Sequence, residues 1–196
     1  MNIFFIVVRV ILVLLAIYYV YIRNFKILIT VVTVLILTFL LWFIESIFDI
    51  KIDPLGHVLY LIILVMGVYL GEGLKFYDKY FWWDRVIHFF AGIAFVSFGI
   101  ALANTIESLG NLATLFFCLT LAAFLHVTWE IAEYVTDLIK GSNHQRWQKQ
   151  KSKETNRLKI TKKPANQPAG LIDTMSDTMI CMSSATITCI VWWFIL

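Results

Sequence analysis

The sequence predicts an all-α fold, a polytopic membrane helix bundle with six transmembrane helices, and three observations carry that reading. The 196-residue chain is 60% hydrophobic, with a mean hydropathy of +0.81. Only 15% of its residues are charged, where soluble domains run near roughly 25%. Its apolar residues also gather into six runs close to the roughly 20 residues that a helix needs to cross a bilayer core. These runs are too long and continuous for barrel strands. Residues 1–196 read as one integral membrane domain.

The first run covers about residues 3–22. It lacks a basic stretch before it and a small-x-small cleavage site after it, so it reads as a retained span and not a cleaved leader. Arg9 falls inside it and is expected to snorkel or to pair with Glu45. The second run covers about 27–48, and the third, the shortest, about 55–73. Between them Glu45, Asp49, Asp53 and His57 recur every four residues and read as a solvated connection. Glu72 closes the third run between Gly71 and Gly73, a loop-like setting. The fourth run, about 84–104, follows Phe81, Trp82 and Trp83, rings that favour the headgroup level. The fifth covers about 112–137, and the sixth, about 171–196, closes on Trp192 and Trp193. Cys118, Cys181 and Cys189 all fall in apolar stretches without metal-ligand or redox spacing and read as small core residues.

Basic residues set the orientation. One side receives Arg23 and Lys26, then Lys75, Lys79 and Arg85. It also receives Lys140, Arg146, Lys149, Lys151, Lys153, Arg157, Lys159, Lys162 and Lys163. Only Lys51 and Arg9 remain for the other. This asymmetry supports the six-span count, makes 140–170 a basic cytoplasmic loop, and places both termini away from the cytoplasm. That loop reads as an ordinary positive-inside segment, or as one drawn to anionic headgroups or a phosphorylated substrate. Nothing in it resembles a nucleic-acid-binding module; the expected partners are membrane lipids.

The polar residues of the last three spans form the candidate site. Span four opens with Asp84, Arg85 and His88; span five ends with His126, Glu130, Glu133 and Asp137; span six opens with Asp173 and Asp177. The topology brings these three ends to one face of the membrane. Residues at i and i+4 share a helix face, so Asp84 with His88, His126 with Glu130, and Asp173 with Asp177 each present an aligned pair. The expectation is an inner ring of His88, Glu130 and Asp177, an outer ring of Asp84, Glu133 or Asp137, and Asp173, and His126 deeper still. A charged group at mid-span costs about 2.5–3.5 kcal/mol, so these groups are expected to face one another and not lipid.

The cluster's carboxylates outnumber Arg85 and the two histidines. The balance falls to protons, a divalent metal, Lys75 or Lys79, or a cationic ligand. Mixed carboxylate and imidazole donors suit Zn²⁺, Mn²⁺ or Fe²⁺ better than Mg²⁺ or Ca²⁺. In a metal-dependent reading His88, Glu130 and Asp177 bind the ion and Glu133 or Asp173 is the catalytic base, with Asp84, Arg85, His126 and Asp137 completing the polar cluster. Each piece also has a plain structural reading. Thr174 and Asp177 match a capping box, Asp84 and Arg85 an interfacial ion pair, and Glu133 and Asp137 a solvated helix end.

These same residues carry a family likeness. WDRVIHFFAG (Trp83–Gly92), WEIAEY (Trp129–Tyr134) and DTMSDT (Asp173–Thr178) resemble the three motifs of YjdF-type bacterial inner-membrane proteins, and more loosely those of VanZ-like proteins. The resemblance covers about residues 80–190. It implies a multi-pass protein of the bacterial inner (plasma) membrane and picks Asp84, His88, Glu130, Glu133, Asp173 and Asp177; it implies no reaction. The loop before the last motif is basic here, where the family's is glycine-rich and neutral to acidic.

Three functions fit these residues: a metal-assisted enzyme acting on a lipid or lipid-linked headgroup, a cation- or proton-binding transporter-like protein, or a non-enzymatic structural or resistance protein of the membrane.

Overall fold

The computed structural model describes residues 3–106, 109–141, 143–145 and 168–194, and among these the regular structure is entirely helical. Most of the basic loop, including Arg146 to Lys163, lies outside the described residues. Helix α1 (Ile3–Tyr21) turns at Asn24, whose side chain accepts the Ile27 N–H, into α2 (Phe25–Leu37) and α3 (Leu40–Phe48). Next come α4 (Pro54–Leu64), its π-helical continuation Val65–Gly73, and the single turn α5 (Phe76–Lys79). The chain then forms α6 (Trp83–Ala103), α7 (Asn111–Lys140) and α8 (Ala169–Trp193).

Among the described residues, five stretches are long and apolar enough to cross a membrane: Ile3–Tyr21, Phe25–Phe48, Pro54–Gly73, Trp83–Ala103 and Asn111–Ile139. The α8 helix is long enough at 25 residues but is not one of the five, because Asp173, Asp177 and a scatter of serines and threonines dilute its apolar residues.

Two of the expected spans are interrupted, each for a local reason. Between α2 and α3 the fully buried Thr38 turns its hydroxyl back to the Leu35 carbonyl (2.7 Å). Carbonyls freed by such a break must be served from elsewhere inside a bilayer. Tyr60 OH donates to Leu37 O at 2.7 Å, and Arg9 donates to Thr38 O (2.8 Å) and Thr38 Oγ1 (2.9 Å). The Arg9 guanidinium also lies 3.7 Å from the centre of the Phe39 ring. Arg9 therefore stitches α1 to the break. The π-helical stretch after Leu64 leaves a wider turn, and there the Trp83 indole N–H donates to Met66 O at 3.1 Å.

The solvated connection expected around Glu45 is a partly buried knot. Glu45 Oε1 accepts the Ile52 N–H at 3.0 Å and stands 3.3 Å from His57 Nε2, and Asp53 caps α4 through the Gly56 N–H at 2.9 Å. Buried Ile50 and Ile52 seal it from within.

A small core packs Ala101 of α6 on Leu41, Ile50 and Ile52, and two larger ones lie to either side in the chain. One joins α1, α2 and the α4–π span through Leu12, Tyr19, Val31, Val34, Leu64 and Tyr69, with Tyr19 and Tyr69 hydroxyls 3.1 Å apart. The other joins α6, α7 and α8 through Val96, Ile100, Cys118, Ala122, Ala185 and Cys189. The three cysteines are free and buried, as core residues are. Small residues allow α6 this central place, since lipid offers no hydrophobic reward for helix pairing and close van der Waals packing must supply it. At Gly92 a Cβ would overlap Ser184 Oγ and the Cys181 carbonyl of α8. At Gly99 it would come within 3.0 Å of Cys118 Sγ on α7.

Candidate functional site

This packing decides which polar groups meet. On α6, Asp84 lies in the first turn, where the helix dipole favours an anion, and His88 follows one turn later on the same face. His88 Nε2 stands 3.5 Å from Asp84 Oδ1. On α7, His126 and Glu130 are likewise a turn apart, with His126 Nε2 3.7 Å from Glu130 Oε1. Between the helices, His88 Nε2 stands 3.9 Å from Glu130 Oε1, and the two imidazoles are perpendicular with ring centres 5.1 Å apart. Asp177 of α8 completes the cluster: one potential ligand atom each from Asp84, His88 and Asp177 lies within 4.8 Å of the others. His88, His126 and Glu130 form a second such group. All five residues are buried, at 1–6% exposure.

Asp84 thus sits within the same close group as His88 and Asp177, not in a separate outer ring. Glu133 is half-buried at the rim; its Oε1 accepts the indole N–H of exposed Trp129 at 2.7 Å. The carboxylates of Asp84, Glu130 and Asp177 remain within its electrostatic reach. Asp173 is half-buried one turn before Asp177 and within electrostatic reach of Glu130. Arg85 turns toward the Phe81 ring, 5.8 Å away. Asp137 is buried but holds the chain beyond α7: its Oδ1 accepts the backbone N–H of His144 (2.9 Å) and lies 2.8 Å from His144 Nδ1, while its Oδ2 accepts the Gln145 N–H (3.0 Å).

Three participants, Thr178, His144 and Gln145, had drawn no attention in the sequence, and a fourth, Thr174, only as a capping residue. Thr178 donates its hydroxyl to Thr174 O at 2.7 Å, so it is the acceptor in its 3.0 Å contact with His126 Nε2. Each of these threonines directly follows an aspartate of α8 or sits one turn from the other, a pairing readable from the sequence. Gln145 and His144 carried no such signal, lying in a loop. Gln145 Nε2 reaches Thr174 Oγ1 (3.1 Å) and the Glu130 carbonyl (3.5 Å). His144 Nε2 also stands 3.5 Å from Glu72, which connects the end of the π-helical span to the end of α7.

One atom is anomalous. Glu130 Oε1 is buried without a hydrogen-bond partner, although Thr174 and Gln145 lie close to the same carboxylate. Buried polar oxygens are paired in the great majority of cases, so an exception calls for an explanation. Two imidazole nitrogens approach it at 3.7 and 3.9 Å, too far for hydrogen bonds of about 2.7–3.2 Å. Donors bound to one ion at about 2.0–2.2 Å each lie no more than about 4.4 Å apart, and both separations fall inside that limit.

Comparison with known proteins places the chain. The family described as predicted membrane protein (DUF2238) matches residues 3–196. The chain belongs to this family. One relative of this DUF2238 chain is an uncharacterized protein of Thermotoga maritima, 31% identical over 72 residues. That match takes in 36% of this chain and 38% of the relative, so it spans well under half of either protein. No solved structure matches.

Proposed function

We propose that this DUF2238 protein holds a divalent metal in the buried cluster and uses it on the polar group of a lipid or lipid-linked substrate. Glu130 Oε1 carries the reading: an unpartnered, buried carboxylate oxygen facing two imidazoles at ligand spacing. The expected trio of His88, Glu130 and Asp177 is divided between two groups, so the ion would be held by His88, His126 and Glu130, with Asp84 and Asp177 grouped on the other side of His88. Zn²⁺ and Mn²⁺ suit this donor set. Ligation through His126 Nε2 would replace its hydrogen bond to Thr178 and would require the ring proton to sit on Nδ1 instead. Glu133 or Asp173, half-buried beside the cluster, would be the base, and the ion would supply the charge that acidifies a water. Arg85 and Asp137 shape the surroundings, Arg85 at the aromatic edge and Asp137 through the turn at His144.

The proposed frame is a six-span bundle in a bacterial inner membrane, with α8 as the sixth span, both termini extracytoplasmic and the basic 140–170 loop on the cytoplasmic side. Shielding by α6 and α7 lets α8 cross despite its polar residues. A transporter-like cation site shares the same donors. The buried residues beyond His126 toward the start of α7, however, are Ala122, Cys118 and Leu115, packed on Val96 and Ala185, and then Thr114, whose single hydroxyl offers a cation little onward path.

The test is metal analysis of purified protein beside Glu130→Gln, which keeps the side chain's shape. The expected result is stoichiometric transition metal in the parent and its loss, with folding retained, in the variant. A parent protein that takes up no divalent metal refutes the proposal.

A further inference from the structure

The segment just before α6 carries a surface that the metal cluster does not use. Phe76, Tyr80 and Trp82 pack their rings around Trp83, with ring centres 4.9, 6.3 and 5.5 Å from it. Phe76 and Tyr80 also meet edge-on at 5.2 Å, and Tyr80 and Trp82 stand 5.8 Å apart. Trp83 is buried and held through its indole N–H on Met66 O. The residues leading to it are open: Tyr80 is 41% exposed, Phe81 55% and Trp82 43%. The rings around Trp83 therefore form one fixed shelf and not a set of separate anchors. It ends where the span Trp83–Ala103 begins, the depth at which amphipathic rings meet lipid headgroups.

Two cations rest on these rings. Lys79 Nζ lies 5.3 Å from the centre of the Phe76 ring, and the Arg85 guanidinium 5.8 Å from that of Phe81. Such a contact draws on the face of the ring and uses none of the cation's N–H donors. It also restrains a long side chain, which lowers the cost of ordering it around a ligand. Lys75 is engaged with Glu72 at 3.9 Å, and exposed Asp78 shares the α5 turn, so Lys79 and Arg85 are the cations of interest.

Position ties the shelf to the buried cluster. Arg85 follows Asp84 on α6, about 1.5 Å further along the axis and about 100° round it. Asp84 itself turns to His88 at 3.5 Å. An anion held by Arg85 thus sits beside the Asp84 edge of the cluster. Exposed rings and two cations at headgroup depth suit a phosphate carried on a lipid. The rings pack on the glycerol and upper acyl carbons, the guanidinium takes the phosphate oxygens in a fork, and the ammonium adds a point charge.

We infer that this shelf binds the phosphate of an anionic phospholipid through Arg85 and Lys79, which makes that class of lipid the substrate presented to the cluster. The substrate role rests on the lipid reading proposed above; the binding is tested apart from it.

The test titrates full-length protein in detergent micelles with dioleoylphosphatidylglycerol, or with dioleoylphosphatidylcholine, and counts bound lipid by native mass spectrometry. A basic side chain at the membrane surface favours an anionic headgroup about fivefold, so phosphatidylglycerol should bind roughly 25-fold more tightly. Lys79→Gln with Arg85→Gln should bind the two lipids alike and keep the parent's metal content. Lys79→Arg with Arg85→Lys keeps both charges and should keep the preference. Equal binding of the two lipids by the parent overturns the inference. So does a preference that survives the glutamine pair, or one lost in the charge-keeping pair. Displacement of phosphatidylglycerol by millimolar inorganic phosphate assigns the site to a soluble phosphate and overturns the lipid. A parent that holds no metal yet selects phosphatidylglycerol supports the shelf and refutes the metal reading alone.

Discussion

Gly92→Ala tests whether the α6–α8 contact sets the geometry of the site, because it touches none of the proposed ligands. The added Cβ overlaps two atoms, Ser184 Oγ and the Cys181 carbonyl oxygen, and lies 3.1 Å from the Ala185 nitrogen. The hydroxyl can rotate away, but the carbonyl and the amide belong to the backbone of α8 and cannot. The helices must therefore part, by about 1 Å to restore ordinary contact. Overpacking of this kind costs about 1–3 kcal/mol. His88 is one turn before Gly92 on α6, and Asp177 one turn before Cys181 on α8, so the same displacement widens the span between the proposed ligand His88 and Asp177 beside it. Metal donors tolerate shifts of about 0.2 Å, and outer-shell disruption typically lowers metal affinity roughly 10–100-fold. The assays are thermal unfolding in detergent and metal titration of the same preparation. Ser184→Gly in the Gly92→Ala background should recover only part of the loss, since it removes the hydroxyl and leaves the carbonyl. If Gly92→Ala melts and binds metal like the parent, α6 and α8 are not packed in this way and the proposed ligand geometry falls with them.

Two further predictions concern the interrupted spans. Arg9→Met removes a charged donor from two Thr38 oxygens and should destabilise the protein by about 1.5–3 kcal/mol in thermal or denaturant unfolding. Arg9→Lys should recover only part, since an ammonium lacks the planar fork that serves both oxygens; an unchanged melting temperature in Arg9→Met would refute the stitching role. Trp83→Phe keeps the ring but leaves Met66 O without its indole donor, at a cost of about 1–3 kcal/mol. Hydrogen exchange should rise selectively over Val65–Gly73, and uniform protection across that stretch would count against the indole holding the π-helical turn.

The helical class was legible in hydropathy because a bilayer leaves the backbone few ways to satisfy itself. The pairs Asp84–His88 and His126–Glu130 were legible because helical periodicity alone puts them on one face. The breaks were not. Thr38 and Phe39 sit in a run as apolar as its neighbours, and only the donors contributed by Tyr60 and Arg9 make a break tolerable there. Asp137 and Asp84 show the same limit at the site. Both read as outer-ring carboxylates, yet the fold gives one to the His144 turn and the other to His88 and Asp177.

The sequence by itself determined a helical membrane protein and which side chains could not face lipid, because composition and the 3.6-residue period are local properties that burial costs act on directly. Only the tertiary structure decided that Gly92 lets α8 close on α6, that Glu130 Oε1 lies between two imidazoles without a hydrogen bond, and that His144 and Gln145 fold back over Asp137 and Thr174. Those outcomes depend on rotations and offsets between helices, set by small-residue contacts and backbone breaks distant in the chain from the groups they position.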